Sequence, residues 1–176
     1  SNEDERSFAR ISTAISKYWI TKRAPYLVFE ALECHGGPGY IEESIMPRLY
    51  REAPLNSIWE GSGNVMCLDV LRALQRDKNA LPALFRELAS AKGSNKNFDE
   101  SFSHLKETLQ DPIDLEIEAR LLTEKMACLI QASIFIKSGE EEKISAFCNS
   151  RLGPRWSGAF GTLPTDTSFE YIMGGI

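Results

Sequence analysis

Several things are scarce in these 176 residues, and each scarcity closes off a class of function. No apolar run approaches the roughly 20 residues that a helix needs to cross a bilayer. Histidine occurs twice, as His35 and His104, far apart in sequence and too few for a zinc centre of convergent ligands. The four cysteines, Cys34, Cys67, Cys128 and Cys148, form no CxxC pair. They read as reduced, mostly buried thiols of an intracellular protein, cytoplasmic or mitochondrial, rather than a disulfide scaffold. Positive charge is in deficit: 8 basic against 10 acidic residues up to Gln75, and 12 against 15 from Arg76 onward, for a net charge of −5. Phosphate binding needs a surplus of Lys and Arg on one face, so nucleic acid is a disfavoured partner. The strip Arg10, Lys17, Lys22 and Arg23 reads more simply as a solvated helix face. The opening SNEDER is neither a signal peptide nor an Arg-rich, acid-poor transit peptide.

Strand alternation is also missing, and what is present is helical periodicity. Phe8, Ile11, Ala14, Ile15, Tyr18 and Trp19 recur at three- and four-residue steps, which predicts an amphipathic helix. Pro25 should kink or restart it, Leu27, Val28, Ala31 and Leu32 continue its apolar face, and Gly36 and Gly37 should stop it. A short helix is expected over 45–50, broken at Ala53 and Pro54. A longer one begins after Ser62 as N-cap, with Val65, Leu68, Leu71 and Leu74 on one stripe and Met66, Val70 and Ala73 on another, so burial on two sides is expected. Further helices are expected over 81–91, 98–110 (ended by Asp111 and Pro112), 114–137 and 140–149. Beyond Leu152 the Gly and Pro content predicts a loop-rich tail docked by Trp156 and Phe160. The whole reads as an all-α chain of two parts, a helical bundle over 1–75 and a second helical module over 76–176. With 43% hydrophobic residues it can bury a real core.

Glycine is sparse and unevenly spread. Five of the twelve fall at Gly36, Gly37, Gly39, Gly61 and Gly63, inside the segment 33–64, ECHGGPGYIEESIMPRLYREAPLNSIWEGSGN. Glu60 stands out there. Following Ile58 and Trp59 it is expected to be partly desolvated, which would suit it to proton abstraction. Gly61 and Gly63 would let a ligand approach the backbone, and the amides opening the next helix could hold an anion or a polarised carbonyl. The alternative is a carboxylate that only complements the helix dipole. The run Gly36, Gly37, Pro38, Gly39 follows a helix, not a strand, so it is no dinucleotide fingerprint. Arg48 and Arg51 could bind an anion, but ion pairs with Glu42, Glu43 or Glu52 are the simpler reading.

The string ALECHGGPGYIEESIMPRLYREAPLNSIWEGSGNVMCLDVLRAL resembles the C-terminal helical domain of acyl-CoA dehydrogenases, within them the AidB-like adaptive-response branch. Two motifs carry it in order, GGxGY with a downstream Arg and an EG[ST] turn opening a helix, and the resemblance covers roughly residues 8–74. It implies an FAD-dependent oxidoreductase of acyl-CoA thioesters, in which the glutamate matched by Glu60 removes the α-proton while the flavin takes a hydride from the β-carbon. The EG pair, here Glu60 and Gly61, also offers backbone hydrogen bonds to the thioester carbonyl. Ser62 and Asn64 match flavin-approaching positions, Asn64 being one methylene shorter than the common Gln. The GGxGY turn reaches the FAD of a neighbouring subunit, which assigns Gly37 and, where the family usually has Gln, Glu33. An acidic Glu33 would be repelled by the pyrophosphate unless turned to a sugar hydroxyl or the adenine. The resemblance further implies a homotetramer, an unspecified electron acceptor, and upstream helical and β-domains that this sequence does not contain, so the chain alone should not turn over. The alternative function is acyl-CoA or fatty-acyl binding, or a DNA-associated adaptive-response role, with weak or no dehydrogenase turnover.

Overall fold

A computed structural model describes residues 2–110 and 114–174, and among these it contains helices and no strands. The backbone of the arrangement is α1, Asn2–Cys34. Its first turn carries Glu3, Asp4 and Glu5, the charge that suits a helix N-terminus. Ile11, Ile15 and Tyr18, at four- and three-residue steps, are buried, as the periodicity demands. The helix runs through Pro25 rather than restarting there. Proline removes one backbone donor, and α1 tolerates that loss because its neighbours pack against it on both sides of Pro25. The apolar face continues only in part: Val28, Ala31 and Leu32 are half-buried, and Leu27 is 58% exposed. Gly36, at φ 60 and ψ −143, ends the helix in a positive-φ conformation that glycine adopts without strain.

The segment after α1 folds back along it. α2, Gly37–Tyr40, is a single helical turn where a plain turn was expected, followed by α3, Met46–Glu52, and a 3-10 turn, Ala53–Ser57, that begins where the break was placed. α4, Gly63–Arg76, opens at Ser62, whose backbone is extended but whose hydroxyl makes no capping bond. α4 has one buried face, Gly63, Cys67, Val70 and Leu71, and Val65 is 45% exposed. The stripe of Val65, Leu68, Leu71 and Leu74 is therefore only partly covered, and that of Met66, Val70 and Ala73 is buried at Val70 and half-buried at the other two.

Beyond it come α5, Ala80–Ala89, α6, Lys96–Gln110, α7, Ala119–Ser138, α8, Glu141–Arg151, and a short α9, Phe169–Met173, in the tail expected as loop. The break expected at Asp111 and Pro112 lies outside the described residues. α7 is buried nearly all round, at Leu122, Met126, Ala127, Leu129 and Ala132. Its buried Thr123 hydroxyl donates to the Ala119 carbonyl at 2.7 Å, so no polar group is left unpaired there. The segments 1–75 and 76–176 share one core: Ile11, Ile15, Val70, Leu84, Phe98, Met126 and Leu129 belong to a single buried cluster. The tail is docked through Arg23 of α1. Its guanidinium lies 4.2 Å from the Phe160 ring centre and 5.6 Å from that of Trp156, and donates to the Gly158 carbonyl at 2.6 Å.

Candidate active site

The turn over residues 58–62 lies on the middle of α1, and three fits place it there. Lys17 donates from Nζ to the carbonyl of Trp59 at 2.9 Å and to that of Gly61 at 2.6 Å. Gly63 is buried against Lys22 and Tyr18, and a Cβ there would collide with the Lys22 side chain. Gly61 has φ +106, and a Cβ on it would stand 2.8 Å from Met66 Sδ. The positive φ accounts for Gly61, and in this chain the ends of the Met66 and Lys22 side chains fill the space beside Gly61 and Gly63. What Gly61 does leave open is its amide. Among the described residues none accepts a hydrogen bond from the N–H of Glu60, Gly61 or Ser62.

Glu60 has φ 55, a left-handed conformation that costs a non-glycine residue roughly 1–2 kcal/mol. Among the described residues its carboxylate has no hydrogen-bond or ion-pair partner. It is exposed, as are Trp59 at 56% and Ile58 at 63%, so the partial desolvation expected from its neighbours is not present within this chain. The left-handed turn rests on Lys17 through backbone carbonyls, and the three side chains stay at the surface. Nor is it a helix-dipole carboxylate in the first turn, because α4 starts three residues later at Gly63.

Behind the turn the wall is buried. Burial pushes the Tyr18 phenol up to about 12 and raises the Cys67 thiol as well. Ser62 and Asn64 are exposed at the start of α4, and the Asn64 side-chain oxygen accepts from Arg120 Nε at 3.2 Å. Asn64 is therefore already engaged through its oxygen, leaving its amide nitrogen to face a partner. The surface arginines pair as read from the sequence: Arg48 with Glu52 at 2.9 Å, and Arg51 with Glu42 through two bonds at 2.7 and 3.1 Å. Hydrogen bonds from Arg51 hold the Glu42 carboxyl below the usual carboxylate range.

The site residues named from the sequence fall in two places. Glu60, Gly61, Ser62 and Asn64 sit together beside Lys17. Glu33 and Gly37 lie at the C-terminal end of α1, sixteen residues further along, about 24 Å away at 1.5 Å per residue. Glu33 is exposed on the last turn of α1. At Gly37 a Cβ would meet nothing within 4 Å and the backbone is not left-handed, so nothing in this chain calls for glycine there. Gly39, in contrast, is buried, and a Cβ on it would collide with the Leu32 carbonyl. Lys17 and Arg120 were not read as site residues. In sequence Lys17 reads as part of a solvated face, and no sequence signal marks it, because its partners are two backbone carbonyls 42 and 44 residues away. Among the described residues no group of three or more His, Cys, Asp or Glu could hold a metal ion, and no helix is long and apolar enough to cross a membrane.

Comparison with known proteins gives this geometry a context. Residues 1–75 match the family described as acyl-CoA dehydrogenase, C-terminal domain. AidB of Escherichia coli is 40% identical over 151 residues, covering 86% of this chain and 28% of AidB. Acyl-CoA dehydrogenase family member 11 of Caenorhabditis elegans is 35% identical over 113 residues, covering 64% of this chain and 18% of that protein. The crystal structure of Caenorhabditis elegans ACDH-11 in complex with C11-CoA superimposes with a TM-score of 0.77 at 25% identity, over 86% of this chain and 30% of that one. The chain therefore spans less than a third of the length of these relatives, and its likeness to AidB and ACDH-11 reaches well past residue 75. Motif order, all-α fold and both sequence and structural likeness agree: the chain carries the C-terminal helical domain of the acyl-CoA dehydrogenase family.

Proposed function

We propose that this chain is the C-terminal part of an FAD-dependent acyl-CoA dehydrogenase in which Glu60 removes the α-proton of the acyl thioester. The observation that carries this reading is the state of Glu60: a carboxylate without a partner among the described residues, on a backbone held at φ 55 by Lys17. Strain of that kind is kept only where the surroundings over-determine it, and it concentrates at functional sites. The unpartnered amides of Glu60, Gly61 and Ser62 supply donors for a thioester carbonyl, a role that stabilises charge developing on that oxygen. A relative solved in complex with C11-CoA supports an acyl-CoA as the ligand class.

The residues present fit an FAD on two counts. Ser62, Asn64 and the free amides gather at the opening of α4, and Gly37 leaves open space that the chain does not use. Ser62 and Asn64 would hold the chain's own flavin, and Gly37 that of a neighbouring subunit, with Glu33 turned to a hydroxyl or ring rather than to the pyrophosphate. When bound, the flavin supplies the hydride acceptor. A homotetramer is supported by the apolar side chains left at the surface near Gly37, among them Phe29 at 43%, Tyr40 at 79%, Ile41 at 48% and Tyr50 at 44% exposed. Phe29, Tyr40, Ile41 and Tyr50 line a shallow concavity of about 720 Å³.

The test is anaerobic reduction of the flavin by C11-CoA in the full-length protein carrying Glu60→Gln. The glutamine keeps the shape and removes the base, and the expected slowing is about 10²–10⁴-fold with flavin still bound. Unchanged reduction refutes the assignment. A wild-type protein that binds C11-CoA but leaves its flavin oxidised would instead identify an acyl-CoA-binding protein.

A further inference from the structure

We propose that Lys17 is a positioning residue for the reaction, holding the Glu60 turn so that the backbone N–H groups of Glu60 and Ser62 face the substrate side. The inference rests on the proposed role of the turn and adds to it the residue that sets its geometry.

The argument begins with the peptide bond. No peptide bond of the described chain is cis, and in a planar trans peptide the C=O of one residue and the N–H of the next point in opposite directions. Lys17 Nζ binds the carbonyls of Trp59 and Gly61, the residues just before Glu60 and just before Ser62. Drawing both oxygens toward α1 turns the N–H of Glu60 and the N–H of Ser62 away from it. These are two of the three turn amides that find no acceptor among the described residues. One ammonium group thereby orients two donors and fixes the peptide planes that bracket the pair Glu60 and Gly61.

The placement of Lys17 suits this task. It is only partly exposed, it reaches the turn from a rigid helix, and its neighbours Ile15 and Tyr18 are buried, so its own backbone cannot shift to follow a loosened turn. The turn needs an external hold, because Glu60 at φ 55 is in a conformation that a non-glycine residue in an unconstrained chain would leave, and Gly61 beside it is free to follow. Met66 against Gly61 and Lys22 against Gly63 fix where the turn sits. Met66 also donates its backbone N–H to the Ser62 carbonyl at 2.9 Å, which sets the peptide plane after Ser62; among the described residues the Trp59 and Gly61 carbonyls, whose planes carry the N–H of Glu60 and of Ser62, are bonded by Lys17. An ammonium bonded to carbonyls also carries its charge next to the carboxylate-bearing residue without quenching the carboxylate in an ion pair, which the geometry avoids.

The experiment uses the full-length flavoprotein and C11-CoA as the probe, comparing Lys17→Met, Lys17→Arg and Glu60→Gln. For each, the anaerobic flavin reduction rate at saturating C11-CoA, the Kd of C11-CoA and the deuterium exchange of the backbone over 58–64 are measured. Lys17→Met should slow reduction by about tenfold to a hundredfold, the scale on which a donor displaced by an ångström acts, with a smaller change in Kd. Exchange over 58–64 should rise, flavin content should stay that of the wild type, and Lys17→Arg should recover part of the rate. If Lys17→Met loses flavin, Lys17→Gln takes its place, since one amide can serve one of the two carbonyls. Wild-type reduction in the Lys17 variant overturns the proposal, as does a loss of rate that Arg fails to recover at all. The two readings separate cleanly. A slow Lys17→Met beside a normal Glu60→Gln removes the base and keeps the positioning residue, and the reverse pattern does the opposite.

Discussion

If Glu60 is held in a strained backbone for the sake of its carboxylate, replacing it should make the chain more stable, provided the replacement relieves the strain. The comparison needs Glu60→Ala, Glu60→Asn and Glu60→Gly. Alanine removes the carboxylate but keeps the Cβ, so it stays strained at φ 55. Because Glu60 is exposed and without a partner among the described residues, the alanine variant should melt within about 0.5 kcal/mol of the parent. Asparagine is several-fold enriched in the left-handed region, which corresponds to about 0.6–1 kcal/mol in its favour. Glycine escapes a penalty of about 1–2 kcal/mol and gives back about 0.5–1 through the freedom of its unfolded chain. Both should therefore exceed alanine by about 0.5–1 kcal/mol, or about 1–4 °C in Tm for a chain of this size. Calorimetric melts of the three variants measure the difference, and flavin reduction measured alongside should be slowed in all of them. Three coincident melts would show that residue 60 is not strained and would remove the observation on which its assignment as base rests.

Two further perturbations follow from particular positions. Gly39→Ala should destabilise by about 1–3 kcal/mol because its Cβ collides with the Leu32 carbonyl, whereas Gly37→Ala meets open space and should stabilise by up to about 1 kcal/mol. The proposed reading adds that Gly37→Ala lowers the flavin content of the full-length protein; thermal melts and flavin absorbance check both halves. Stability should also fall with rising pH. Burial pushes the Cys128 thiol and the Tyr18 phenol up to about 12 and the Cys148 thiol up to about 11. In the unfolded chain these groups release protons from about pH 9 for the thiols and 10 for the phenol. Their contribution is complete below pH 9 and declines as pH climbs toward 12, by up to about 1.4 kcal/mol per pH unit for each group. Urea unfolding at pH 8, 9.5 and 10.5 follows this decline, and Cys128→Ala should make it shallower.

The helices were legible because their signals are local. The steps among Ile11, Ile15 and Tyr18 and the breaks at Gly36 and Pro54 report on neighbours within one or two turns, and the structure places elements where they point. Pro25 misled because its cost is local while its compensation is tertiary: elements packed along α1 hold the helix together through it. Val65 misled differently, since a stripe records which residues could be buried and the neighbouring helices decide which are. In the site, Glu60 and the order of motifs could be read, yet the reason for Gly61 and Gly63 could not. At Gly61 it is a φ of +106, and beside Gly63 lies the end of the Lys22 side chain, both of which depend on how the turn lies across α1. Lys17 was furthest out of reach, because a lysine that binds backbone carbonyls looks in sequence like any lysine on a helix.

The exposure of Glu60 sharpens the division of labour in this fold. A base needs a fixed position and a dry environment, and these two requirements are met by different means. Position is set from below by α1, through Lys17 and through the fit of Gly63 against Lys22 and Tyr18, all within residues 17–63. Dryness is absent within the chain, where Ile58, Trp59 and Glu60 share an open surface. On the proposed reading, drying comes with what closes over those three side chains, the flavin and the acyl-CoA first among them. Water then leaves the carboxylate only as the site fills, so its dry surroundings arrive with the substrate and are not built into this chain. The rigid half of the site must then be built before the dry half, and Lys17, whose ammonium bonds two of the turn's carbonyls, is what builds it.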